Sequence, residues 1–248
     1  MTIHATGMLN LTAIEVKNLV KSYGSFNAVD KISFTVNQGE IFGLIGPNGA
    51  GKTTTLRILA TLLQITSGQV KIFGHDLEHE ADDVRKIISY LPEDAGAYKN
   101  LSGKGYLEFI AAFFGNGRKS AEIVRRGIEI ANLGERINDK VEAYSKGMTR
   151  RLLVARALMI EPKLAILDEL TSGLDVLNSQ EIRKLTKKTS SEGTTILLSS
   201  HNMLEVELLC DRIALINNGK IVEIGTPDEL KRKHHCNNIE DVFVKVVA

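Results

Sequence analysis

The sequence predicts an α/β fold in which a mostly parallel sheet has helices on its faces, an antiparallel β subdomain is attached and a helical subdomain is inserted. Three observations lead to this prediction. Short apolar runs with strand character alternate with helical patterns over most of the chain. A glycine-rich loop lies between a buried-strand pattern and a helix pattern. Between about residues 95 and 160, helical periodicity replaces this alternation.

The composition is that of one large globular domain in a reducing compartment. The chain has 248 residues, of which 43% are apolar and 25% are charged, so it can bury a core without disulfide or metal support. Its net charge of +1 gives no overall attraction to nucleic acid, and the basic run 231–233 is interpreted as a solvated helix end. Cys210 and Cys236 have no paired spacing, and residues 234–236 are interpreted as a polar tail rather than a metal tract.

No part of the sequence has the pattern of a membrane-spanning or targeting segment. The longest apolar runs fall well short of the roughly 18 residues that a spanning helix needs. The N-terminus lacks the basic-then-apolar pattern of a signal peptide, and residues 1–11 are predicted to be a loose tail. We therefore expect a chain that does not itself cross a membrane.

The first third of the chain predicts the antiparallel part and the start of the parallel sheet. Residues 13–19 and 32–36 alternate between apolar and polar side chains, which is typical of half-buried antiparallel strands. The run 40–45 is almost continuously apolar, which is typical of a buried parallel strand. The other elements predicted here are a helix over 53–63 and strands over 69–73 and 87–91.

The middle of the chain predicts three helices, each preceded by a serine that can cap it. Ser102 can cap a helix to about residue 114, Ser120 one to about 132, and Ser145 one to about 160. Strands and helices then alternate again, and the turn 217–219 predicts a hairpin. The elements predicted after the helical part are strands over 164–167, 194–199, 212–216 and 220–224 and helices over 176–189 and 203–210.

The glycine-rich loop matches a phosphate-binding pattern. Residues 46–53 fit G-x-x-x-x-G-K-[ST], in which glycines let backbone N–H groups surround phosphate oxygens. Lys52 is expected to reach the β- and γ-phosphates of a bound nucleotide, and the Thr53 hydroxyl is expected to ligate Mg²⁺. The residues predicted to bind the nucleotide in this loop are Gly46, Pro47, Asn48, Gly49, Ala50, Gly51, Lys52, Thr53 and Thr54.

Two adjacent carboxylates follow the apolar run 164–167. Strand ends of open α/β sheets point to the ligand crevice, so Asp168 is expected beside Mg²⁺. Glu169 could polarise a water in line with the γ-phosphate as a general base. Alone, such a pair could be a solvated loop, but an upstream phosphate loop favours the catalytic interpretation. The two motifs together leave kinases, GTPases and several ATPases possible.

A third motif distinguishes among these classes of nucleotide-binding protein. Residues 144–148 read Tyr-Ser-Lys-Gly-Met and open a helix, which resembles the signature L-S-G-G-Q of the ABC (ATP-binding cassette) family. Ser145 and Gly147 match that signature, whereas the other three positions depart from it. By itself Ser145 could merely cap its helix. The resemblance implies that this helix start binds the γ-phosphate of an ATP held by a second subunit.

Four further positions extend the resemblance to the ABC family. Asp175 lies in a Ser-Gly-Leu-Asp segment that looks like the D-loop, and His201 follows a strand as the family's switch histidine does. Tyr23 matches the aromatic residue that stacks on adenine, although a core tyrosine remains an alternative. Glu93 occupies the Q-loop, where most relatives have glutamine, and its carboxylate could still ligate Mg²⁺.

The resemblance extends over about residues 11–230 and implies a P-loop NTPase sheet core of ABC ATPase type, with an antiparallel β subdomain and an inserted helical subdomain. It implies an ATP-binding core over 12–94 and 161–233 and a helical signature subdomain over 95–160. Residues 234–248 are predicted to be a C-terminal tail. The implied cofactors are ATP and Mg²⁺, with Thr53, Glu93 and Asp168 as metal ligands.

The function implied by the resemblance is ATP hydrolysis that powers a membrane transporter. The implied partners are a second ATP-binding subunit, expected to be another copy of this chain, and multi-spanning permease subunits, with the protein peripheral on the cytoplasmic face. Glu93, the signature 144–148 and the segment 239–243 resemble the drug-resistance-type export branch. The alternative is a soluble ABC ATPase that acts on ribosomes or DNA, but the single phosphate loop and the absence of heptads favour a transporter. No nucleic-acid partner is expected.

Overall fold

The computed structural model describes residues 11–247 and contains an antiparallel four-stranded sheet and a mostly parallel six-stranded sheet. The predicted α/β fold class is confirmed. The strands are β1 (Thr12–Tyr23), β2 (Phe26–Asn37), β3 (Ile41–Ile45), β4 (Ser67–Ile72), β5 (His75–Asp76), β6 (Ile88–Leu91), β7 (Leu164–Asp168), β8 (Thr195–Ser200), β9 (Arg212–Asn217) and β10 (Lys220–Gly225). The predicted tail over 1–11 lies almost entirely outside the described residues.

The helices follow the strands on both faces of the larger sheet and form the inserted region. They are α1 (Lys52–Leu59), α2 (Ala81–Ile87), α3 (Gly103–Ala111), α4 (Arg118–Ala131), α5 (Lys146–Leu158), α6 (Val176–Ser191), α7 (Met203–Leu209), α8 (Pro227–His234) and α9 (Ile239–Val247). Two short 3₁₀ turns cover Gly134–Asn138 and Val141–Ala143. Within residues 11–247, every helix is too short or too polar to cross a membrane.

The six-stranded sheet has the order β10-β9-β3-β8-β7-β6, and all of its pairs are parallel except the hairpin of β9 and β10. Every residue of β3, β7 and β8 is buried, because the four-stranded sheet with α1 and α2 covers one face of the parallel sheet and other helices cover the opposite face. The carboxyl ends of these three neighbouring strands therefore lie side by side at one edge. The phosphate loop, the acidic pair and His201 follow these three ends.

The four-stranded sheet has the order β2-β1-β4-β5 and packs against one face of the six-stranded sheet. Ile32, Phe34 and Val36 alternate along β2 and are buried, as period-two patterning predicts. The rings of Phe34 and Phe42 stack with centroids 5.5 Å apart, which joins the two sheets. A second apolar cluster fills the opposite face and continues into the helical region around α5.

The helical region follows the predicted caps in two of three cases. The Ser102 side chain accepts from the Gly105 backbone N–H at the start of α3, and the Ser145 side chain accepts from the Met148 N–H at the start of α5. The Ser120 cap is wrong, because α4 begins earlier, at Arg118. Gly117 precedes it with φ 57° and ψ −126°, a conformation that favours glycine, and thereby sets the start of the helix.

The predicted C-terminal tail over 234–248 is wrong for most of its length. Helix α9 buries Ile239 and Val242 completely against the core, an i, i+3 spacing that forms one apolar helix face. Thr226 and Glu229 form a capping box at the start of α8, with Pro227 in the first turn. Helix α8 ends at His234, and His235 follows it in a left-handed conformation before the chain continues into α9.

Candidate active site

The loop between β3 and α1 curls around its own lysine. Lys52 is the first residue of α1, and its Nζ donates to the carbonyl oxygens of Gly46, at 2.8 Å, and Pro47, at 3.2 Å. Gly51 has φ 104°, and a Cβ there would meet the Ala28 carbonyl oxygen at 2.4 Å, so the turn requires glycine. The loop therefore presents a buried positive charge and the positive end of a helix at one place.

A cavity of about 360 Å³ lies over this loop. It is lined by most of the predicted loop residues, together with Tyr23 at the end of β1, Glu93 shortly after β6 and Glu169 directly after β7. The lining residues are Tyr23, Phe26, Ala28, Pro47, Asn48, Gly49, Gly51, Lys52, Thr53, Thr54, Glu93 and Glu169. Gly46 and Ala50 are buried loop residues that do not line the cavity.

Asp168 ends β7 as a buried carboxylate that is only partly satisfied. The Ser199 hydroxyl on β8 donates to Asp168 Oδ1. Asp168 Oδ2 is buried and has no hydrogen-bond partner within residues 11–247. A buried unpaired carboxylate oxygen is costly, and a hard cation is the natural partner for such an oxygen.

Glu169 is held between two basic side chains. Its Oε2 lies 2.8 Å from His201 Nδ1, and its Oε1 lies 3.6 Å from Lys52 Nζ. Its backbone has φ 49°, a left-handed value that is uncommon for a residue other than glycine. Its N–H donates to the carbonyl oxygen of Ser199 at 3.2 Å, so β8 fixes this turn. Glu169 is buried, whereas His201 is about half exposed.

A buried arginine that the sequence did not indicate supports the acidic pair from behind. The Arg150 guanidinium on α5 donates to the carbonyl oxygens of Asp168 at 2.9 Å, Glu169 at 2.8 Å and Leu170 at 2.9 Å. It also reaches the Glu93 carbonyl oxygen at 3.4 Å. Burial lowers the pKa of Arg150, and the negative charge of Asp168 opposes that shift.

A second buried group links the acidic strand end to the histidine strand. Glu205 on α7 accepts from the Thr171 hydroxyl at 2.7 Å and from the Ser200 hydroxyl at 3.1 Å. Burial raises the pKa of Glu205. Thr171 lies two residues after Glu169, and Ser200 directly precedes His201, so the Glu205 carboxylate links the two segments that carry these side chains.

The predicted signature and D-loop residues lie apart from the cavity. Neither Ser145, Gly147 nor Asp175 lines it. Instead, the Asn178 side chain packs so closely on Gly147 that a Cβ there would meet its amide at 2.7 Å, and it donates to Asp175 Oδ2 at 2.6 Å. The Asn178 hydrogen bonds lower the pKa of Asp175. Ser145 and Asp175 are exposed, so a second molecule can reach both.

The residues that sequence reasoning missed fall into two groups. Phe26 and Ala28 line the cavity from the start of β2, and an aromatic residue three positions after Tyr23 is the only signal for them. Ser199 and Arg150 contact the acidic pair from elements distant in sequence. A charged side chain on the apolar side of α5 could have identified Arg150 as a candidate.

A phosphate loop closed on its own lysine, beside an acidic strand end and a histidine on the neighbouring strand, defines a P-loop nucleotide-binding α/β protein. Residues 29–172 match the family described as "ABC transporter". The chain belongs to the ABC transporter family, as one of its ATP-binding, ATP-hydrolysing subunits. The predicted family and ATP hydrolase activity are thereby confirmed.

Individual relatives support the same assignment. The chain is 41% identical over 214 residues to the uncharacterized ABC transporter ATP-binding protein YhcH of Bacillus subtilis, which covers 86% of this chain and 70% of that protein. It is 39% identical over 224 residues to the bacitracin transport ATP-binding protein BcrA of Bacillus licheniformis, covering 90% and 72%. A solved ATP-binding subunit of an ABC transporter matches with a TM-score of 0.85 and 30% identity, covering 96% of this chain and 100% of that one. The alternative of a ribosome- or DNA-directed ATPase is not favoured.

Proposed function

We propose that this chain binds MgATP on the loop 46–53, hydrolyses it with Glu169 as general base, and uses the cycle to drive a membrane exporter. The observation that supports this most strongly is the Glu169 carboxylate, which lines the phosphate-loop cavity and lies within 3.6 Å of Lys52 and 2.8 Å of His201. Its contacts with these two groups fix the carboxylate at the cavity, where a general base for an attacking water would have to lie.

The residues beside the loop also suit Mg²⁺. Thr53 and Glu93 line the cavity, and Asp168 has a buried, unpartnered carboxylate oxygen at the adjoining strand end. Hydroxyl and carboxylate oxygens are the donors that Mg²⁺ prefers. We propose that these three residues hold the ion, which would neutralise charge on the β- and γ-phosphates when bound. His201 would hydrogen-bond the γ-phosphate and orient Glu169.

We further propose that two copies close head to tail over two ATP molecules. Ser145 and Asp175 are exposed and lie outside the cavity of their own chain, so a second copy can bring them to it. The serine hydroxyl and free N–H groups at the start of α5 form an anion site. ATP but not ADP would bridge the copies, so hydrolysis would loosen the dimer through this difference in contacts. The helical segment 95–160 carries Ser145 and would contact the ATP of the other copy when the dimer closes.

The export branch is supported by relatives. BcrA is named as a bacitracin transport protein, and this chain matches 72% of its length. We propose that the partner is a multi-spanning permease and that the chain binds peripherally on the cytoplasmic side of the membrane. The permease would select the cargo, and this chain would supply the energy.

An exposed aromatic patch offers a surface for that permease. It consists of Tyr98, Phe109, Phe113 and Phe114, and Phe113 is 73% exposed. Tyr98 and Phe109 have ring centroids 5.4 Å apart, and Phe109 and Phe113 have centroids 5.3 Å apart. Contiguous exposed apolar surface of this kind marks interaction sites. Tyr98 is five residues from Glu93, so a partner on the patch lies next to a segment that lines the cavity.

We expect the chain to co-purify with a multi-spanning membrane protein from detergent-solubilised membranes of its own cells. Phe113→Asp should reduce the recovered membrane protein by about tenfold, since burying an unpaired charge in an interface is costly. Val244→Asp, at an exposed apolar position on α9, is the matched control and should leave recovery unchanged. Recovery of ribosomes or DNA in place of a membrane protein would contradict transport.

Tyr23→Ala is expected to weaken ATP binding by about 5- to 100-fold, because base–aromatic stacking contributes roughly 1–3 kcal/mol. Tyr23 is exposed at the rim of the cavity, where a base could cover it. Calorimetric titration with ATP measures the effect, and Tyr23→Phe should retain it. Phe26→Ala distinguishes the two aromatic residues: a larger loss there than in Tyr23→Ala would assign the stacking role to Phe26.

A further inference from the structure

The turn that places Glu169, the proposed general base, is strained, and most of the hydrogen bonds that hold it come from Arg150. Asp168, Glu169 and Leu170 follow one another at the end of β7, and Glu169 has φ 49°. A residue with a side chain adopts this left-handed conformation at a cost, and it persists only where its surroundings fix it. On one side β8 accepts the Glu169 N–H. On the other side, the three successive carbonyl oxygens converge on Arg150.

Arg150 is suited to this contact by its chemistry. Its planar guanidinium has five N–H donors in a fixed fork on three nitrogen atoms, so it can reach more widely spaced carbonyl oxygens than the single nitrogen of a lysine. It is 7% exposed, and within residues 11–247 its hydrogen-bond partners are backbone carbonyl oxygens of the acidic turn and of Glu93. A buried charge in such surroundings is costly to retain, which points to a use beyond packing.

The position of Arg150 along α5 gives the contact a second consequence. Ser145 caps this helix, and Arg150 lies five positions later on its buried side. The same short helical segment therefore presents the proposed anion site for a partner's ATP and clamps the turn that holds Glu169 at the chain's own cavity. The fourth contact, to Glu93, extends the clamp to another residue of that cavity.

We propose that Arg150 is a positioning residue for ATP hydrolysis, which holds the Glu169 turn in its left-handed conformation and joins it to the start of α5. Arg150 does not line the cavity, so it acts through Glu169 and Glu93 and not on the nucleotide. The inference rests on the proposed function, because it concerns the position of the proposed base. It further assigns a mechanical role to α5: this helix links Ser145 at its start to Glu169, the proposed general base at the cavity of the same chain.

The test compares steady-state MgATP hydrolysis by the full chain and by Arg150→Lys. The lysine keeps the charge and the aliphatic stem but reaches fewer carbonyl oxygens, so we expect kcat to fall about 10- to 100-fold, as small misplacements of catalytic groups do. The KM for ATP should stay within about threefold, because binding contacts are retained. Calorimetry should show unchanged ATP affinity, and thermal unfolding should show a folded protein.

Arg156→Lys is the matched control. Arg156 lies on the same helix and donates to the Tyr90 carbonyl oxygen at 3.1 Å, so it also anchors α5 to the sheet, but within residues 11–247 it makes no hydrogen bond to the acidic turn. Its kcat should stay within about twofold of wild type. An equal loss of kcat in both variants, an unchanged kcat in Arg150→Lys, or a loss confined to KM would each overturn the proposal. Failure of Arg150→Lys to fold would overturn it too, because it would make the residue structural.

The outcomes also separate this inference from the function on which it rests. A wild-type chain that does not hydrolyse MgATP would refute the proposed function. A wild-type chain that hydrolyses ATP, together with an Arg150→Lys variant of equal kcat, would refute only the role of Arg150.

Discussion

Glu169→Gln is expected to lower the rate of ATP hydrolysis about 10²- to 10⁴-fold while ATP binding is kept, because general-base catalysis contributes a factor of this size. The amide has nearly the shape of the carboxylate and can still accept from His201, 2.8 Å away in the wild type. It cannot accept a proton from water. Removing one negative charge from the cavity should leave ATP affinity unchanged or raise it.

The same variant should accumulate as an ATP-bound dimer, since the bridging γ-phosphate is no longer removed. Gel filtration with and without MgATP measures this, alongside phosphate release. Glu192→Gln, at an exposed residue 3.8 Å from Lys188 at the end of α6, is the control and should behave as wild type in both assays. A Glu169→Gln protein that stays monomeric with ATP would count against head-to-tail closure, and one with full turnover would exclude Glu169 as the base.

The parts of the site that the sequence predicted are those in which local backbone geometry requires particular residues. Gly51 must be glycine because its φ is 104° and the Ala28 carbonyl oxygen lies only 2.4 Å from where a Cβ would be, and Lys52 follows it at a fixed position. The two carboxylates that follow the fully buried residues of β7 are an equally direct signal for the site, because the carboxyl ends of parallel strands lie at the edge of the sheet where ligands bind. Each of these signals lies within a few consecutive residues.

The parts that could not be predicted depend on contacts between distant segments. Arg150 binds carbonyl oxygens of residues 18 to 20 positions later and of Glu93, 57 positions earlier. Every residue has a carbonyl group, so no side-chain pattern indicates such partners. At Ser120 the local signal was misleading. Serine is a good capping residue, but the helix begins after Gly117, because glycine can adopt the positive φ that the chain has there.

Helix α9 shows how tertiary contacts override a local prediction. The polar stretch 234–238 favours a tail when it is taken alone. Ile239 and Val242 nevertheless reach the core, and Glu207 on α7 accepts from the Ile239 N–H at 3.3 Å while also pairing with Lys231 at 2.6 Å. The helix forms because an apolar surface is present for its apolar face, which is information that lies outside the segment.

Lys52→Ala is expected to reduce ATP affinity about 10- to 100-fold, because a hydrogen bond to a charged group contributes roughly 1.5–3 kcal/mol. The loss has two physical sources. The buried ammonium group would no longer meet the phosphate charge, and the loop would lose the hydrogen bonds that Nζ makes to Gly46 and Pro47. Glu169 would also lose its cationic neighbour 3.6 Å away and would repel the phosphates more strongly.

Calorimetric titration with ATP measures this loss, and Lys220→Ala is the matched control. Lys220 is an exposed lysine on β10 that pairs with Asp30 at 3.3 Å, and its removal should leave affinity unchanged because exposed ion pairs contribute little. Combining Lys52→Ala with Glu169→Gln should recover part of the lost affinity, since the repulsion from Glu169 is then absent. If Lys52→Ala bound ATP as tightly as wild type, the phosphates could not lie on the loop 46–53, and the assignments of Glu169, His201 and Mg²⁺ ligands around it would have no basis.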